Sequence, residues 1–81
     1  MEPFQSPFLA KRLERQVRQR TGERVRNLEI EMRREEIVLR GRVTSYYVKQ
    51  LAQHGVREIL PYIGVANAIT VERPGGHLDP V

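Results

Sequence analysis

The chain has 81 residues, no cysteine and two histidines, which excludes disulfides, thiolate zinc sites, cysteine nucleophiles and a histidine-rich metal cluster. A chain of this length forms one small domain, and its core is too small to enclose an elaborate active site. The formal net charge is +4 and arginine outnumbers lysine, a composition suited to contacts with phosphate or carboxylate groups.

The sequence also bears on location. No apolar run approaches the ~18 residues that are needed to cross a bilayer. The first residues lack the charged and apolar regions of a secretory signal. These features predict a protein that is cytoplasmic or peripherally bound to a membrane.

The first helix is predicted to begin at Ser6, after a flexible lead of residues 1–5. Ser6 suits the N-cap, Pro7 suits the first helical position, and Gly22 suits a left-handed C-cap. One side of this helix is apolar, with Leu9, Ala10, Leu13 and Val17. The other side is basic, and its candidate contacts with an anionic surface are Lys11, Arg12, Arg15 and Arg18. The alternative interpretation is a solvated face that serves solubility alone.

Two alternating segments follow. Leu28, Ile30 and Met32 alternate with charged residues, which is typical of a half-exposed strand. After a polar turn, the inward register of a second strand is predicted to contain Ile37, Leu39, Gly41 and Val43, with Val38, Arg40 and Arg42 facing the other way. A glycine within a strand indicates a bulge or a close approach by another backbone.

A second helix begins after Ser45, its predicted N-cap, and Pro61 stops it. Its predicted buried face contains Val48, Leu51, Ala52, Gly55, Val56 and Ile59. Gly55 costs about 1 kcal/mol of helix propensity relative to alanine, and we expect close packing against the sheet near Gly41 in return. A third strand is predicted from Val65 to Glu72, and a disordered tail over residues 73–81.

The predicted fold class is therefore α+β, a single small αββαβ domain. We expect a three-stranded sheet with two helices packed on one face and a right-handed crossover between the second and third strands. The sequence leaves open which strand is central. The outer face of the sheet is predicted to be polar, with Glu29, Glu31, Arg40, Arg42 and Thr70.

Residues 37–71 carry a family resemblance. Leu39, Gly41 and Val43, then a helix with Lys49 and Ala52, then Val65, Asn67, Ile69 and Val71 form a string that resembles the BON domain. That family is a small αββαβ module of bacterial envelope and osmotic-stress proteins and is thought to bind phospholipid surfaces. The resemblance implies a BON-like domain over residues 6–72.

The chain departs from the BON pattern in two ways. The family usually carries Gly-Val just after the second helix, where this chain has Pro61 and Tyr62. Members are also commonly exported and often occur in tandem copies, so the resemblance implies an envelope or periplasmic location that the first residues of this chain do not suggest.

The polar residues do not form a catalytic pattern. His54 lacks a Ser/His/Asp spacing and is interpreted as a plain surface or boundary histidine. His77 and Asp79 are too few to make a metal site. Asn67 is predicted to bond a neighbouring backbone, the alternative being a ligand contact. Gly41, Gly55 and Asn67 are therefore assigned structural roles, and we expect no enzyme activity, no cofactor, no metal and no small-molecule substrate.

Three binding functions remain open. The first is electrostatic attachment to anionic phospholipid through the basic helix. The second is nucleic-acid binding through the same arginines, although the sequence shows neither a KH-type Gly-x-x-Gly clamp nor an aromatic pair on a strand. The third is association with a protein partner, or ring building, through the outer face or edge of the sheet. On the second helix, an exposed Tyr46 beside Arg57 is a further candidate, either as an interfacial anchor or as a protein contact.

Overall fold

The computed structural model describes residues 7–72. Its elements are α1 (Pro7–Thr21), β1 (Arg26–Met32), β2 (Glu36–Val43), α2 (Tyr46–Ile59), β3 (Gly64–Asn67) and β4 (Thr70–Val71). The predicted α+β class and αββαβ order are confirmed. The predicted lead and tail, the Ser6 cap and His77 lie outside the described residues.

Local chemistry explains where the helices begin and end. Gly22, at φ 62°, is the left-handed residue directly after α1. The Ser45 Oγ accepts a hydrogen bond from the Val48 backbone N–H at 3.2 Å, so Ser45 is the N-cap of α2. Both ends agree with the sequence prediction.

Strand β2 is central in the sheet. β1 pairs with it antiparallel, and β3 and β4 pair with it parallel on its other side. The predicted third strand is thus present in two pieces. Between them, the Ala68 backbone N–H still donates to the Leu39 carbonyl at 2.8 Å, and the Ile69 side chain is buried in the core.

The core lies between the two helices and one face of the sheet. It contains Leu13 and Val17 of α1, Val48, Ala52 and Val56 of α2, and Ile37, Leu39 and Val43 of β2. Val38 was predicted to face away from this core with Arg40 and Arg42. It alternates as predicted but is only 5% exposed, because β2 has a strand on each side and its cross-strand neighbours, Glu31 and Ala66, flank it.

Gly41 packs against β1, which corrects the expected contact with α2. A Cβ atom at this position would lie 2.7 Å from Val25 Cγ1 and 2.9 Å from the Arg26 carbonyl oxygen. The φ of Gly41 is 152°, which L-residues rarely adopt. The approach follows from an irregularity in β1 between Arg26 and Glu29, so the glycine accommodates a β-bulge.

Gly55 packs against α1 and not against the sheet near Gly41, so that prediction is wrong. A Cβ atom there would lie 3.2 Å from Val17 Cα and 3.3 Å from the Gln16 carbonyl oxygen. Polar side chains continue this contact at the surface. Arg20 donates two hydrogen bonds to the Glu58 carboxylate, and Gln16 Nε2 donates another at 2.7 Å.

Candidate functional site

The outer side of α1 carries the predicted basic residues. Lys11, Arg12 and Arg15 are exposed, and Arg18 is half-buried. Lys11, Arg15 and Arg18 line one shallow depression of about 580 Å³, together with Glu14, Gln19 and Glu23. Arg12 does not line this depression. The structure therefore brings three of the four predicted contacts together in one groove.

Ion pairs divide these basic residues into two groups. Arg18 pairs with Glu14 at 3.0 Å, one helical turn earlier, an exposed arrangement that stabilises little but reduces the local positive charge. Lys11, Arg12 and Arg15 make no ion pair with any residue between 7 and 72. Arg18 is therefore the one of the four predicted contacts whose charge is paired within these residues.

Phe8 belongs to the same surface, and sequence reasoning missed it. Its side chain is 84% exposed. Phe8, Lys11, Arg12 and Arg15 follow the i, i+3, i+4, i+7 spacing that places residues on one helix face. This spacing is visible in the sequence and is the signal that identifies Phe8. We call these four residues the basic helix face.

The opposite face of α1 is committed to folding. Leu13 and Val17 are completely buried in the core, and Leu9 packs against its edge. The helix cannot lay this apolar stripe on a membrane while the domain remains folded. A contact made by α1 must therefore use its charged residues and Phe8.

Asn67 ties β3 to α2. Its Nδ2 donates to the Lys49 carbonyl at 2.8 Å and to Gln53 Oε1 at 3.4 Å, and its Oδ1 accepts from the Ile69 backbone N–H at 3.4 Å. These bonds engage both ends of the carboxamide. They match the backbone-bonding role that the sequence suggested, and the bond to Ile69 fixes the chain at the break between β3 and β4.

The remaining aromatic residues lie apart from the basic helix face. Tyr46 is exposed and lines a groove of about 350 Å³ with Lys49, His54 and Asn67. It is not beside Arg57, which lines a separate depression with Arg20 and Glu58, because the two residues are about three helical turns apart. Tyr62 is 99% exposed in the loop after α2.

The outer face of the sheet contains an arginine–glutamate cluster. Glu31 accepts hydrogen bonds from Arg33 Nε and Arg40 Nη1, each at 2.7 Å. The bond from Arg33, followed by that from Arg40, lowers the pKa of the Glu31 carboxyl from 4.5 to about 2. Arg33 also approaches Glu36 at 3.6 Å. This cluster neutralises its own charges and offers little to an anionic ligand.

No protein-family model, curated protein or solved structure matches this chain. Within residues 7–72, neither helix is long and apolar enough to cross a membrane. The same residues contain no group of three histidine, aspartate or glutamate side chains placed to hold a metal ion.

Proposed function

We propose that this chain is a non-catalytic, BON-like module that binds anionic phospholipid surfaces through the basic helix face. The observation that carries the proposal is the shared exposed face of Phe8, Lys11, Arg12 and Arg15, whose three cationic side chains make no ion pair within residues 7–72. The αββαβ order of the elements is the order that the family resemblance implies.

The expected binding is weak and sensitive to salt. Each basic residue near an anionic bilayer contributes about 1 kcal/mol, and full burial of a phenylalanine contributes about 1.5–3 kcal/mol. The electrostatic part fades with added salt because the Debye length shortens to about 3 Å at 1 M. The contribution of Phe8 persists, so Phe8 sets the residual binding at high salt.

Co-sedimentation with vesicles tests the proposal. The wild-type chain should bind phosphatidylglycerol vesicles at low salt and should retain on phosphatidylcholine vesicles only the small residual binding that Phe8 contributes. The double variant Lys11→Gln/Arg15→Gln should lose most of this binding. Lys49→Gln/Arg57→Gln is the matched control, because it removes the same charge from α2, and it should bind almost as wild type does. Equal binding to both lipids, or equal loss in both double variants, would contradict the assignment of the surface.

Phe8 can be tested separately, because the chain contains no tryptophan. Phe8→Trp introduces a single indole at the basic helix face, and its fluorescence emission should shift to the blue when anionic vesicles are added. Tyr62→Trp is the matched control, since Tyr62 is also an exposed aromatic residue but lies in the loop after α2. A blue shift in the control alone would place the membrane contact at the loop.

Nucleic-acid binding is the alternative function of the same charges. Phosphate backbones attract exposed arginines without sequence specificity. Within residues 7–72, however, the exposed large apolar side chains are Phe8, Tyr46, Tyr47 and Tyr62, and none lies on a strand where bases could stack. Filter binding with duplex and single-stranded nucleic acid should therefore give only weak retention. If retention is strong and the vesicles fail, the nucleic-acid function replaces the membrane function, and failure of both leaves a protein partner.

A further inference from the structure

Two arginines face each other on the outer side of the sheet. Arg26 of β1 and Arg42 of β2 are direct cross-strand partners, and Arg42 is in turn the partner of Thr70 in β4. Residues paired in this way point to the same side of a sheet, with Cβ atoms about 4.5–5.5 Å apart in an antiparallel pair. All three residues are exposed. They form a transverse row, which we call the arginine row.

Like charges directly opposite each other in a sheet repel. Neither Arg26 nor Arg42 forms an ion pair with a residue between 7 and 72. Their neighbours on the same face behave differently, because Arg40 and Arg33 both bind Glu31 at 2.7 Å. The sheet thus pairs some of its arginines and leaves these two facing one another.

The backbones of β1 and β2 lie close together beneath the row. Gly41 lies directly before Arg42, and its missing side chain lets the Arg26 carbonyl come within 2.9 Å of the Cβ position. The pairing of Arg26 with Arg42 therefore survives the bulge that follows it in β1.

We propose that Arg26, Arg42 and Thr70 bind a single phosphate-type oxyanion. Guanidinium groups donate paired hydrogen bonds that fit the oxygen spacing of phosphate, and the threonine hydroxyl adds a donor. An open groove of about 620 Å³ runs beside the row and includes Arg42 and Thr70 in its lining. The ligand is inorganic phosphate or a phosphomonoester, free or as a lipid headgroup.

Glu29 restricts the ligand to a compact anion. It lines the same groove as Arg42 and Thr70 and is the cross-strand partner of Arg40. A chain of phosphates continuing along β1 would meet this carboxylate, whereas a single phosphate over the arginine row would not. This favours a monophosphate over a nucleic-acid strand.

The site is independent of the basic helix face. Both helices pack on the Ile37 and Leu39 side of the sheet, while Arg42 alternates to the other side. One flat membrane cannot cover both surfaces at once. Failure of vesicle binding through Lys11 and Arg15 therefore leaves the arginine-row proposal standing, and the reverse also holds.

Titration with inorganic phosphate at constant ionic strength tests the proposal. We expect NMR shift changes centred on the Thr70 and Arg42 amides and a melting temperature that rises with phosphate. In Arg42→Gln the affinity should fall about tenfold or more, because a charge-assisted bond is lost. Arg57→Gln should keep the wild-type affinity. In the absence of phosphate, Arg42→Gln should be at least as stable as wild type, since it relieves the repulsion.

Two further ligands distinguish the sources of the phosphate group. Glycerol phosphate tests a soluble phosphomonoester, and phosphatidic acid vesicles test a lipid headgroup, each with wild type and Arg42→Gln. A response that depends on Arg42 in any arm supports the site and identifies its source. The proposal is overturned if, in every arm, the ligand affects wild type, Arg42→Gln and Arg57→Gln equally, or if no arm affects wild type.

Discussion

Gly41 is the residue on which the pairing of β1 with β2 depends most directly. A Cβ atom at this position would lie 2.7 Å from the Cγ1 methyl group of Val25 and 2.9 Å from the carbonyl oxygen of Arg26. The first neighbour is a side chain and can move. The second is backbone within a strand, so it can move only if the pairing of the two strands shifts.

We expect Gly41→Val to destabilise the domain. Overpacking typically costs about 1–3 kcal/mol, and the φ of 152° adds backbone strain for a β-branched residue. Since 1 kcal/mol shifts the melting temperature of a domain this small by about 4–8 °C, thermal unfolding should show a clear decrease. Arg15→Ala, which alters only an exposed side chain, should leave the melting temperature almost unchanged. A valine variant as stable as wild type would mean that β1 does not approach Gly41 as described.

Sequence alternation predicted the register of Gly41 but not its neighbour. The alternation places Gly41 inward between Leu39 and Val43, which is correct. It cannot show an inserted residue in the partner strand, because a bulge changes the pairing and not the apolar pattern of β2. The available signal was Asn27, whose φ of 54° is one that asparagine tolerates better than most residues.

At the scale of elements, the helices were predicted well because their signals are local. Ser45, Pro61 and Gly22 act on adjacent backbone groups, so each helix end could be read from the residues around it. The break between β3 and β4 was missed, because residues 65–71 alternate as one strand does. The break lies beside Asn67, whose bonds to α2 are tertiary contacts that the alternation does not show.

The candidate surface on α1 was also predictable only as far as local signals determine it. Helical spacing identified the exposed positions of Lys11, Arg12 and Arg15 correctly. The pairing of Arg18 with Glu14 was also a local i, i+4 relation and could have been anticipated. The arginine row could not have been anticipated in this way. Its residues come together only through the register of three strands, which no local pattern of the sequence specifies.

The contact between α1 and α2 can be tested at Gly55. In Gly55→Ala, a gain of about 1 kcal/mol in helix propensity opposes a Cβ contact of 3.2 Å with the backbone of Val17, so we expect little net change. In Gly55→Val the larger side chain meets the same backbone, and overpacking should cost about 1–3 kcal/mol. Urea unfolding measures both variants.

The matched control for this series is Gln50→Val, which places the same β-branched residue on the exposed side of α2. It should cost only the difference in helix propensity, at most about 0.7 kcal/mol. If Gly55→Val costs no more than Gln50→Val, the two helices do not approach closely at Gly55.

At the scale of the whole molecule, the sheet separates two surfaces of different electrostatic character. One side carries the helices and the basic helix face. The other carries the arginine row and the cluster in which Glu31 neutralises Arg33 and Arg40. With a net charge of +4, protonation of carboxylates in acid leaves the arginines increasingly unopposed, and we expect the folded state to lose stability.

Glu31 should contribute to that acid sensitivity in a defined pH range. Its pKa is lowered from 4.5 to about 2 in the folded chain, so the folded state binds its proton less readily than the unfolded state does. The stabilisation is fully present above pH 4.5 and is lost as the pH falls towards about 2. Urea unfolding between these values should therefore show a smaller decrease in stability for Glu31→Gln than for wild type.

Glu29→Gln is the control, because Glu29 lies on the same face but forms no ion pair within residues 7–72, and it should follow wild type. Parallel pH profiles for wild type and Glu31→Gln would show that the two arginines do not hold this carboxylate in solution.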